Sequence, residues 1–449
     1  MKKLGAKQEL LDLARELEAK QKEKKKRIII CGGTGCRSNG SYELFLMCKE
    51  LLNKYRLKDV ELKMSGCHGF CQRGPVFVIE PEEIFYQQVG KENPKKDLEE
   101  IIKKTLLAGK YVEHLLYQDP GTGELIPIYH QIPFYAHQQR IALRFNGKID
   151  PFSIEDYIAQ GGYQALAKAL EMDPEEIIEV ISKSGLRGRG GGGFPTGQKW
   201  RFCREAKGDM RYIICNADEG DPGAFMDRSI MEGNPHGVLE GMIIGALAIA
   251  RGKSPAQGYI YVRAEYPLAV QSIKKAIEDA KAWGLLGENI LGSDFSFDIK
   301  VKEGAGAFVC GEETALMASI EGKRGMPRQR PPFPAQKGLW GKPSNINNVE
   351  TWVNVPEIIL KGWQWYSSIG TEKSKGTKVF SLVGKVKNSG LVEVPMGTTL
   401  RTILFDIGGG AANGNAIKAV QTGGPSGGCL PAEKFDLPVD FDALTEAGS

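Results

Sequence analysis

Apolar positions along the chain follow two spacings, one typical of strands and one typical of helices. Short apolar runs cover residues 27–31, 60–64 and 76–79, whereas residues 41–55 and 94–107 have the longer spacing of helices. The order strand, helix, strand, strand, helix predicts a small thioredoxin-like α/β domain in the N-terminal part of the chain.

A second α/β pattern follows. A helix is predicted to begin after Asp173, with Pro174 at its first position and Glu176 as the acid of a capping box, and to end at Gly185. Predicted strands then alternate with predicted helices: strands at 211–215 and 259–263, helices near 238–250 and 268–283. This alternation is typical of an α/β domain.

The last part of the chain has a different pattern. Apolar runs at 379–386 and 391–395 precede a helical stretch near 400–405, which suggests a small β-grasp-like unit. The predicted protein is therefore α/β and multidomain, with these parts: a leading helix at 1–26, a thioredoxin-like domain at 27–115, a linker at 116–150, a second α/β domain at 151–365 and a β-grasp-like domain at 376–449.

Charge excludes several classes of partner. The formal net charge of +4 is too small to indicate nucleic acid or an anionic membrane. The leading helix has Leu10, Leu13 and Leu17 on one face among alternating acids and bases, and we expect it and the basic run 24–27 to be solvated. No apolar stretch reaches transmembrane length and no secretory signal is visible, so we expect a cytoplasmic protein without membrane insertion.

The nine cysteines are unevenly distributed. Cys31 and Cys36 follow one predicted strand, and Cys67 and Cys71 follow another, so the two pairs meet if the strands are neighbours. Two pairs of thiolates can hold a [2Fe–2S] cluster, and glycines on both loops let backbone amides approach it. A structural zinc site remains the alternative, although neither pair has the usual C-x2-C spacing. A disulfide is less favoured, and Cys48 is expected in the core.

A glycine-rich run from Gly188 to Gly197 follows the predicted helix that ends at Gly185. Its G-x-G-x-x-G match lacks the preceding strand of a Rossmann fold. So many glycines expose backbone N–H groups and let a flat ligand lie against the chain. A flexible linker is the alternative, but Phe, Pro, Lys and Trp at the end of the run are not typical of linkers.

Three further polar segments are candidates for ligand binding. The first, Cys215–Gly223, places an amide and three carboxylates after a predicted strand, where open α/β sheets bind ligands, although a solvated turn would have similar residues. The second, Gly304–Thr314, has acids that would cap a helix on structural grounds alone. The third, Asn345–Thr351, is rich in amides suited to phosphate or a flavin edge.

Taken together, the motifs between Ser184 and Thr351 resemble the flavoprotein subunit of respiratory complex I and its relatives in soluble hydrogenases and formate dehydrogenases. The N-terminal domain resembles the thioredoxin-like [2Fe–2S] domain that complex I carries on a separate subunit. Its fusion to the flavin domain is similar to the β-subunit of electron-bifurcating [FeFe] hydrogenases. Residues after Thr377 resemble the soluble-ligand-binding β-grasp domain of the family. The resemblance implies a complex I-type FMN-binding domain that is not a Rossmann fold.

The resemblance also implies site residues, with no side chain acting as a catalytic acid or base. FMN would be bound by Gly188, Arg189, Gly190, Lys199, Asn216, Asp218, Glu219, Gly311, Glu312, Asn347, Asn348 and Thr351. NADH would be bound by Phe194, Phe202, Glu313, Arg330 and Phe333. The [2Fe–2S] cluster would be bound by Cys31, Cys36, Cys67 and Cys71. The acid at Glu313 would repel a 2′-phosphate, which favours NADH over NADPH.

One departure from the family concerns its C-terminal [4Fe–4S] cluster, which needs four cysteines. Cys429 is the only cysteine after Cys310, so this cluster is expected only if the natural chain continues beyond Ser449. The glycine-rich run 423–428 resembles the approach to that domain, and we expect such a continuation.

The implied reaction is hydride transfer from NADH to FMN, followed by electron transfer to iron–sulfur clusters. The implied partners are a hydrogenase catalytic subunit and a small [2Fe–2S] subunit, in an enzyme that bifurcates electrons. A formate dehydrogenase or a complex I-like enzyme is the alternative assembly. A zinc-bound scaffold or relay subunit without catalysis is the alternative of another class.

Overall fold

The computed structural model describes residues 3–23, 26–424 and 427–449 of the chain. Three sheet-containing domains follow one another and share apolar interfaces. One buried cluster combines Phe70 and Val78 of the first domain with Val392 and Leu404 of the third. The pairs Lys24–Lys25 and Pro425–Ser426, which belong to the basic run and to the C-terminal glycine-rich run, lie outside the described residues.

The N-terminal part consists of a leading helix and a domain with one mixed sheet. Its elements are α1 (Lys7–Glu23), β1 (Lys26–Cys31), α2 (Thr34–Arg37), α3 (Ser41–Lys54), β2 (Val60–Ser65), β3 (Phe77–Glu80), β4 (Ile84–Tyr86) and α4 (Pro94–Glu100), which continues as a π-helix over Ile101–Leu107. The strand order is β2-β1-β3-β4, with β1 parallel to β2 and antiparallel to β3. The predicted order of elements is confirmed, and β4 is added to it.

The segment after this domain has little regular structure but is packed. It contains β5 (Tyr117–Gln118), β6 (Leu125–Ile126) and α5 (Pro133–Ala136). Phe134 and Ala142 within the predicted linker are fully buried. The linker is therefore part of the interface between domains.

The central domain has a parallel sheet in the order β10-β7-β8-β9. Its strands are β7 (Arg211–Ala217), β8 (Ala256–Arg263), β9 (Asp298–Gly304) and β10 (Ser344–Asn348). Its helices are α6 (Ile154–Ala159), α7 (Gln164–Ala169), α8 (Pro174–Ser184), α9 (Thr196–Glu205), α10 (Met226–Gly233), α11 (Pro235–Ala250), α12 (Pro267–Ala282), α13 (Glu313–Ile320), α14 (Pro334–Lys337), α15 (Val349–Lys361) and α16 (Trp363–Ser367). Every residue of α11 is buried, so this apolar helix forms the centre of the core.

The C-terminal domain contains two separate antiparallel strand pairs. Its elements are β11 (Thr377–Leu382), β12 (Gly390–Pro395), a π-helix over Thr402–Ile407, β13 (Ala419–Gln421), β14 (Cys429–Pro431) and α17 (Phe441–Glu446). The strand predicted over 379–386 ends at Leu382, because Gly384 takes a positive φ of 101° and turns the chain.

Two other sequence expectations are wrong. The leading helix α1 is not solvated on all sides, because Leu10 is fully buried and α1 packs against α6 of the central domain. The capping box at the start of α8 does not form: Asp173 is the N-cap residue, but its side chain accepts no capping hydrogen bond. In the part of the chain that the structure describes, no helix combines the length and apolarity needed to cross a membrane.

A buried carboxylate joins the C-terminal domain to the packed linker. Glu393 in β12 is fully buried, and its two oxygens accept hydrogen bonds from the backbone N–H groups of Ile141, Ala142 and Leu143, each at 2.9 Å. The Thr377 hydroxyl also donates to it. Three backbone amides and a hydroxyl thus replace the water that this carboxylate would otherwise bind.

We predict that Glu393→Gln lowers the free energy of unfolding by about 1.5–3 kcal/mol, because an amide NH2 group would face backbone N–H donors and leave a buried donor unsatisfied. Denaturant-induced unfolding followed by circular dichroism measures the change. Glu433→Gln, at an exposed position of the same domain, is the matched control. Equal unfolding midpoints for Glu393→Gln and the wild type would contradict the prediction.

Candidate functional site

The polar segments predicted to bind a ligand meet at the carboxyl ends of β7 and β10. The register pairs Asn347 with Cys215 and Asn348 with Asn216, so both amide-bearing segments end side by side. The strands that follow β7 in the chain, β8 and β9, lie on one side of it, and the last strand, β10, lies on its other side. The order in which strands are added to the sheet therefore reverses between β7 and β10. Such switch points are where open α/β sheets bind ligands. The predicted position of the segment, at the carboxyl end of a parallel strand, is confirmed.

The glycine-rich loop forms one wall of this cleft. Gly188 N–H donates to the Phe194 carbonyl at 2.9 Å, and Arg187 Nε donates to the Gly193 carbonyl at 2.6 Å, so the loop is closed at its base. A Cβ at Gly190 would lie 3.1 Å from the Cβ of Asn348, which brings the loop against the end of β10. Gly191 and Gly192 face open space. The loop therefore has a defined conformation and is anchored at its base, unlike a flexible linker.

The carboxylate of Asp218 is the unsatisfied group of the cleft. The residue is 7% exposed, and both of its oxygens are buried without a hydrogen-bond partner. Burial raises the pKa of Asp218 to about 6. Its backbone N–H donates to Asn216 Oδ1 at 3.1 Å, and Asn216 Nδ2 donates to the Gly311 carbonyl at 2.9 Å, so three predicted ligand residues are in contact. A buried acceptor of this kind needs donors from a ligand.

Three other predicted ligand side chains cap helices. Glu219 accepts hydrogen bonds from the N–H groups of Asp227 and Arg228 at the start of α10. Glu312 accepts from two N–H groups at the start of α13, in agreement with the structural alternative for that motif. Asn348 accepts from Glu350 N–H at the start of α15. These side chains shape the cleft by holding three helix N-termini against it.

The side chains of Arg189 and Asn347 make contacts away from the cleft, whereas the Thr351 hydroxyl lies at the site. The Arg189 guanidinium is buried and donates to Tyr366 and to three backbone carbonyls, among them those of Thr377 and Lys375, so it fixes the C-terminal domain. Only its backbone N–H faces the site, where it donates to the Thr351 hydroxyl at 2.9 Å. Asn347 Oδ1 accepts from the Trp200 indole N–H at 3.0 Å.

The residues predicted for the nicotinamide dinucleotide line the rim. Phe194, Phe202 and Phe333 are 46%, 46% and 52% exposed, and the first two rings lie 6.5 Å apart. Glu313 forms ion pairs with Lys199 at 3.0 Å and with Arg330 at 2.8 Å. The acid expected to repel a phosphate is therefore paired with two cations, and the trio is net positive.

The four candidate cluster cysteines are brought together, as the neighbouring strands β1 and β2 require. Cys31 pairs in register with Ser65, two residues before Cys67. Cys67 Sγ lies 3.9 Å from Cys71 Sγ, and a Cβ at Gly33 would lie 2.7 Å from the Cβ of Cys67, so only glycine fits there. The thiols of Cys36 and Cys67 and burial raise the pKa of Cys31, whereas the thiols of Cys31 and Cys71 lower that of Cys67.

Three of these thiols, those of Cys31, Cys36 and Cys67, are buried, and that of Cys71 is half-buried. His68 N–H donates to Cys31 Sγ at 3.3 Å, and the buried His68 ring is hydrogen-bonded to the Tyr135 hydroxyl at 2.6 Å. Within the described ranges, no three His, Cys, Asp or Glu side chains form a group that could hold one metal ion. Cys48 is buried in α3, away from this centre, as expected for a core residue.

Sequence reasoning did not identify the role of α10, which runs between the cleft and the cysteine centre. Asp227 at its start is hydrogen-bonded to Asn348, and Glu232 near its end accepts a hydrogen bond from Thr34 N–H at 3.0 Å. Both carboxyl groups are buried. Three charged residues in a short helix that is buried in the fold would be a signal of a special role. The sequence does not show that this helix is buried, so the signal could not be recognised.

Known proteins resemble large parts of this chain. The family described as the Nuo51 FMN-binding domain matches residues 181–357. HndC, a subunit of the NADP-reducing hydrogenase of Solidesulfovibrio fructosivorans, is 59% identical over 312 residues, which cover 70% of this chain and 63% of that protein. The chain thus spans less than two thirds of HndC.

Two further comparisons extend this result. The F subunit of the NADH-quinone oxidoreductase of Aquifex aeolicus is 52% identical over 297 residues, which cover 66% of this chain and 68% of that protein. The crystal structure of an NAD+-reducing [NiFe]-hydrogenase in the H2-reduced state aligns with 98% of this chain and 72% of its own, at 29% identity and a TM-score of 0.59. The chain therefore belongs to the family of the NADH-quinone oxidoreductase F subunits, whose FMN-binding domain it contains.

Proposed function

We propose that the chain is the NADH-oxidising flavoprotein subunit of a multi-subunit redox enzyme, with FMN in the central cleft and a [2Fe–2S] cluster on Cys31, Cys36, Cys67 and Cys71. The observation that carries this proposal is the buried Asp218 carboxylate, which lacks a partner at a sheet switch point beside an anchored glycine-rich loop. Family membership supports the same assignment.

The residues of the cleft fit FMN. The unpartnered oxygens of Asp218 would accept hydrogen bonds from ribityl hydroxyls, which are donors that a buried carboxylate needs. The open faces of Gly191 and Gly192 leave room for a flat ring, and the remaining FMN ligands predicted from the sequence would contribute backbone groups or side-chain edges. FMN bound there would accept a hydride from a nicotinamide and return its electrons one at a time.

The rim fits a nicotinamide dinucleotide. Phe194, Phe202 and Phe333 offer exposed aromatic faces for stacking, and exposed aromatic residues at a cleft mark a binding surface. Glu313, held by Lys199 and Arg330, would accept hydrogen bonds from ribose hydroxyls. The contribution of these side chains is to bind and orient the dinucleotide and to exclude water, since no side chain has to move a proton for hydride transfer.

The cysteine centre fits a [2Fe–2S] cluster. Its four thiols come from two loops, two from each, and each iron of such a cluster takes two protein ligands. A thiolate is favoured at Cys67, and the His68 N–H group already points at Cys31 Sγ. Backbone N–H groups that donate to the sulfur ligands stabilise such centres. The N-terminal domain is accordingly proposed to be thioredoxin-like, and the C-terminal domain β-grasp-like.

We propose a hydrogenase as the assembly, with a hydrogenase catalytic subunit and a small [2Fe–2S] subunit as partners and with electron bifurcation. The support is the 59% identity to HndC, which is named as a hydrogenase subunit. Affinity purification of the native complex from its own cells tests the partners: hydrogenase subunits support the proposal, and complex I or formate dehydrogenase subunits contradict it.

The decisive experiment is an absorption spectrum with iron, sulfide, zinc and FMN analysis on the anaerobically purified chain, before and after NADH. We expect bound FMN and about two irons and two sulfides per chain. Both chromophores should bleach on NADH addition. Zinc without flavin would instead identify a non-catalytic scaffold and refute the proposal.

The substitution Asp218→Asn tests the role of Asp218 as an FMN ligand separately from the stability that its burial costs. Asp218→Asn keeps the shape but loses one acceptor and all of the charge, so FMN should bind about ten-fold or more weakly, measured by fluorescence titration of the flavin-free protein. Asp209→Asn, at the exposed opposite end of β7, should bind FMN like the wild type. Equal affinities in both variants would contradict the assignment.

The same variant should make the flavin-free protein more stable at neutral pH. Because burial raises the pKa of Asp218 from 3.8 to about 6, its ionisation costs stability that is absent below pH 3.8 and fully present above pH 6. The melting temperature of Asp218→Asn relative to the wild type should therefore rise between pH 4 and pH 7. A difference that is constant across this range would contradict the raised pKa.

Replacing Glu313 tests the proposed preference for NADH. Glu313→Gln removes the carboxylate and leaves Lys199 and Arg330 to attract a 2′-phosphate, so the ratio of kcat/KM for NADPH to that for NADH should rise about ten-fold, or ~1.4 kcal/mol. Steady-state reduction of ferricyanide measures both values. Glu303→Gln, at an exposed position of β9, is the control. An unchanged ratio in Glu313→Gln would show that this acid does not select the cofactor.

A further inference from the structure

Bare glycine backbone forms direct contacts between domains. A Cβ at Gly66 of the first domain would lie 2.1 Å from Gly233 Cα at the end of α10. A contact of the same kind lies at the cleft, where a Cβ at Gly193 would lie 2.8 Å from Cδ1 of Phe441 and 3.1 Å from two further atoms of that ring. Gly193 also has a φ of 58°, which disfavours other residues. The glycine-rich loop therefore packs on the first residue of α17, in the C-terminal domain.

Arg187, at the base of the same loop, lies on the Phe441 ring as well. Its guanidinium carbon is 4.5 Å from the ring centroid, and it forms an ion pair with Asp442 at 3.7 Å. A cation over an aromatic face is attracted by the charge distribution of the ring. Arg187 Nε also donates to the Gly193 carbonyl at 2.6 Å. The ring thus contacts two loop residues that are hydrogen-bonded to each other.

The C-terminal domain itself fixes the position of Phe441. Val439, two residues earlier, is buried, and its carbonyl accepts a hydrogen bond from Gly397 N–H at 3.1 Å. The Val439 N–H donates to the Thr398 carbonyl at 2.8 Å. The Asp440 side chain then caps the start of α17. Because the chain is held on this side of the ring, Phe441 is a fixed support for the loop.

The supported residue, Gly193, directly precedes Phe194, whose ring is half exposed at the rim of the cleft. The Phe194 carbonyl is held on one side by Gly188 N–H, at 2.9 Å. On the other side, the two glycines before Gly193 face open space, and glycine has more backbone freedom than any other residue. The contact between Gly193 and Phe441 therefore limits the positions that the Phe194 ring can take.

We propose that Phe441 is a positioning residue for the nicotinamide dinucleotide: by supporting Gly193, it holds the Phe194 ring where that ring stacks on the dinucleotide. This inference rests on the proposed function, in which Phe194 contacts NADH. A loop that is ordered before binding loses less conformational freedom when the dinucleotide binds, so the contact increases the affinity. The C-terminal domain thereby adjusts the affinity of a cleft that the central domain builds.

The test uses the FMN-loaded full chain, with calorimetric titration of NAD+ and steady-state reduction of ferricyanide by NADH. Phe441→Ala removes the ring, Phe441→Leu keeps much of its volume without a flat face, and Phe441→Tyr keeps the ring. In the first two variants we expect the Kd for NAD+ and the KM for NADH to rise about ten-fold, with kcat within about two-fold of the wild type. Phe441→Tyr should resemble the wild type. If Phe441→Ala does not fold, Phe441→Leu decides.

Phe405→Ala is the matched control. Phe405 is a partly exposed ring of the same domain that also lies beneath an arginine, Arg401, at 6.0 Å, and its loss should leave the Kd and the KM unchanged. A double-mutant cycle tests the route: in a chain that already carries Phe194→Ala, Phe441→Ala should raise the KM by less than about two-fold. Additive effects, an equal rise in Phe405→Ala or in Phe441→Tyr, or loss of FMN from Phe441→Leu would overturn the proposal in favour of a packing role.

Amide hydrogen exchange gives a readout that does not depend on the dinucleotide. In Phe441→Ala and Phe441→Leu, residues 190–194 should exchange about ten-fold faster than in the wild type, whereas β7 should exchange at the wild-type rate. A wild-type chain that binds no FMN or does not oxidise NADH would refute the proposed function itself. A wild-type chain that oxidises NADH, together with Phe441 variants whose NAD+ affinity or loop exchange is unchanged, would refute only the role of this residue.

Discussion

The assembly depends on buried carboxylates that accept backbone N–H groups from another part of the chain. Glu232 of the central domain binds the backbone of Thr34 in the first domain, and Glu350 binds the backbone of Val379 in the third. Glu393 of the third domain binds three amides of the packed segment between the first two. Burying a carboxylate is costly unless each oxygen is satisfied, so these contacts tolerate little displacement. They fix the domains in one arrangement.

The polar residues of the cleft also fall into two groups, according to whether other protein groups satisfy their hydrogen bonds. Glu219, Glu312 and Asn348 are satisfied by helix N-termini, and Arg189 by the third domain. These residues hold the walls whether or not a ligand is bound. Asp218 lacks such partners, so its desolvation is a standing cost of the folded protein that a ligand can relieve. Sites that bind tightly commonly retain such destabilising groups.

Much of this could be predicted from the sequence, because the relevant signals are local. Apolar spacing located β1, β2 and β7, and the residues after each strand necessarily lie at the edge of a sheet. The pairing of the cysteine loops followed from neighbouring strands, and the glycine-rich loop was distinguished from a linker by the large residues at its end. The hydrogen-bond partners of individual carboxylates could not be predicted from the sequence. Whether Glu219 meets a ligand or a helix N-terminus depends on where α10 begins in space, and the short sequence motif is the same in both cases.

The contact between Gly66 and Gly233 limits how the N-terminal domain can move. With the two backbones in direct contact, a methyl group at Gly66 would lie 2.1 Å from Gly233 Cα and act as a wedge between the domains. A domain held in this way cannot swing between a donor and an acceptor as a tethered carrier does. Under the proposed function this domain would conduct electrons from a fixed position, so any acceptor of those electrons would have to dock on its outer face.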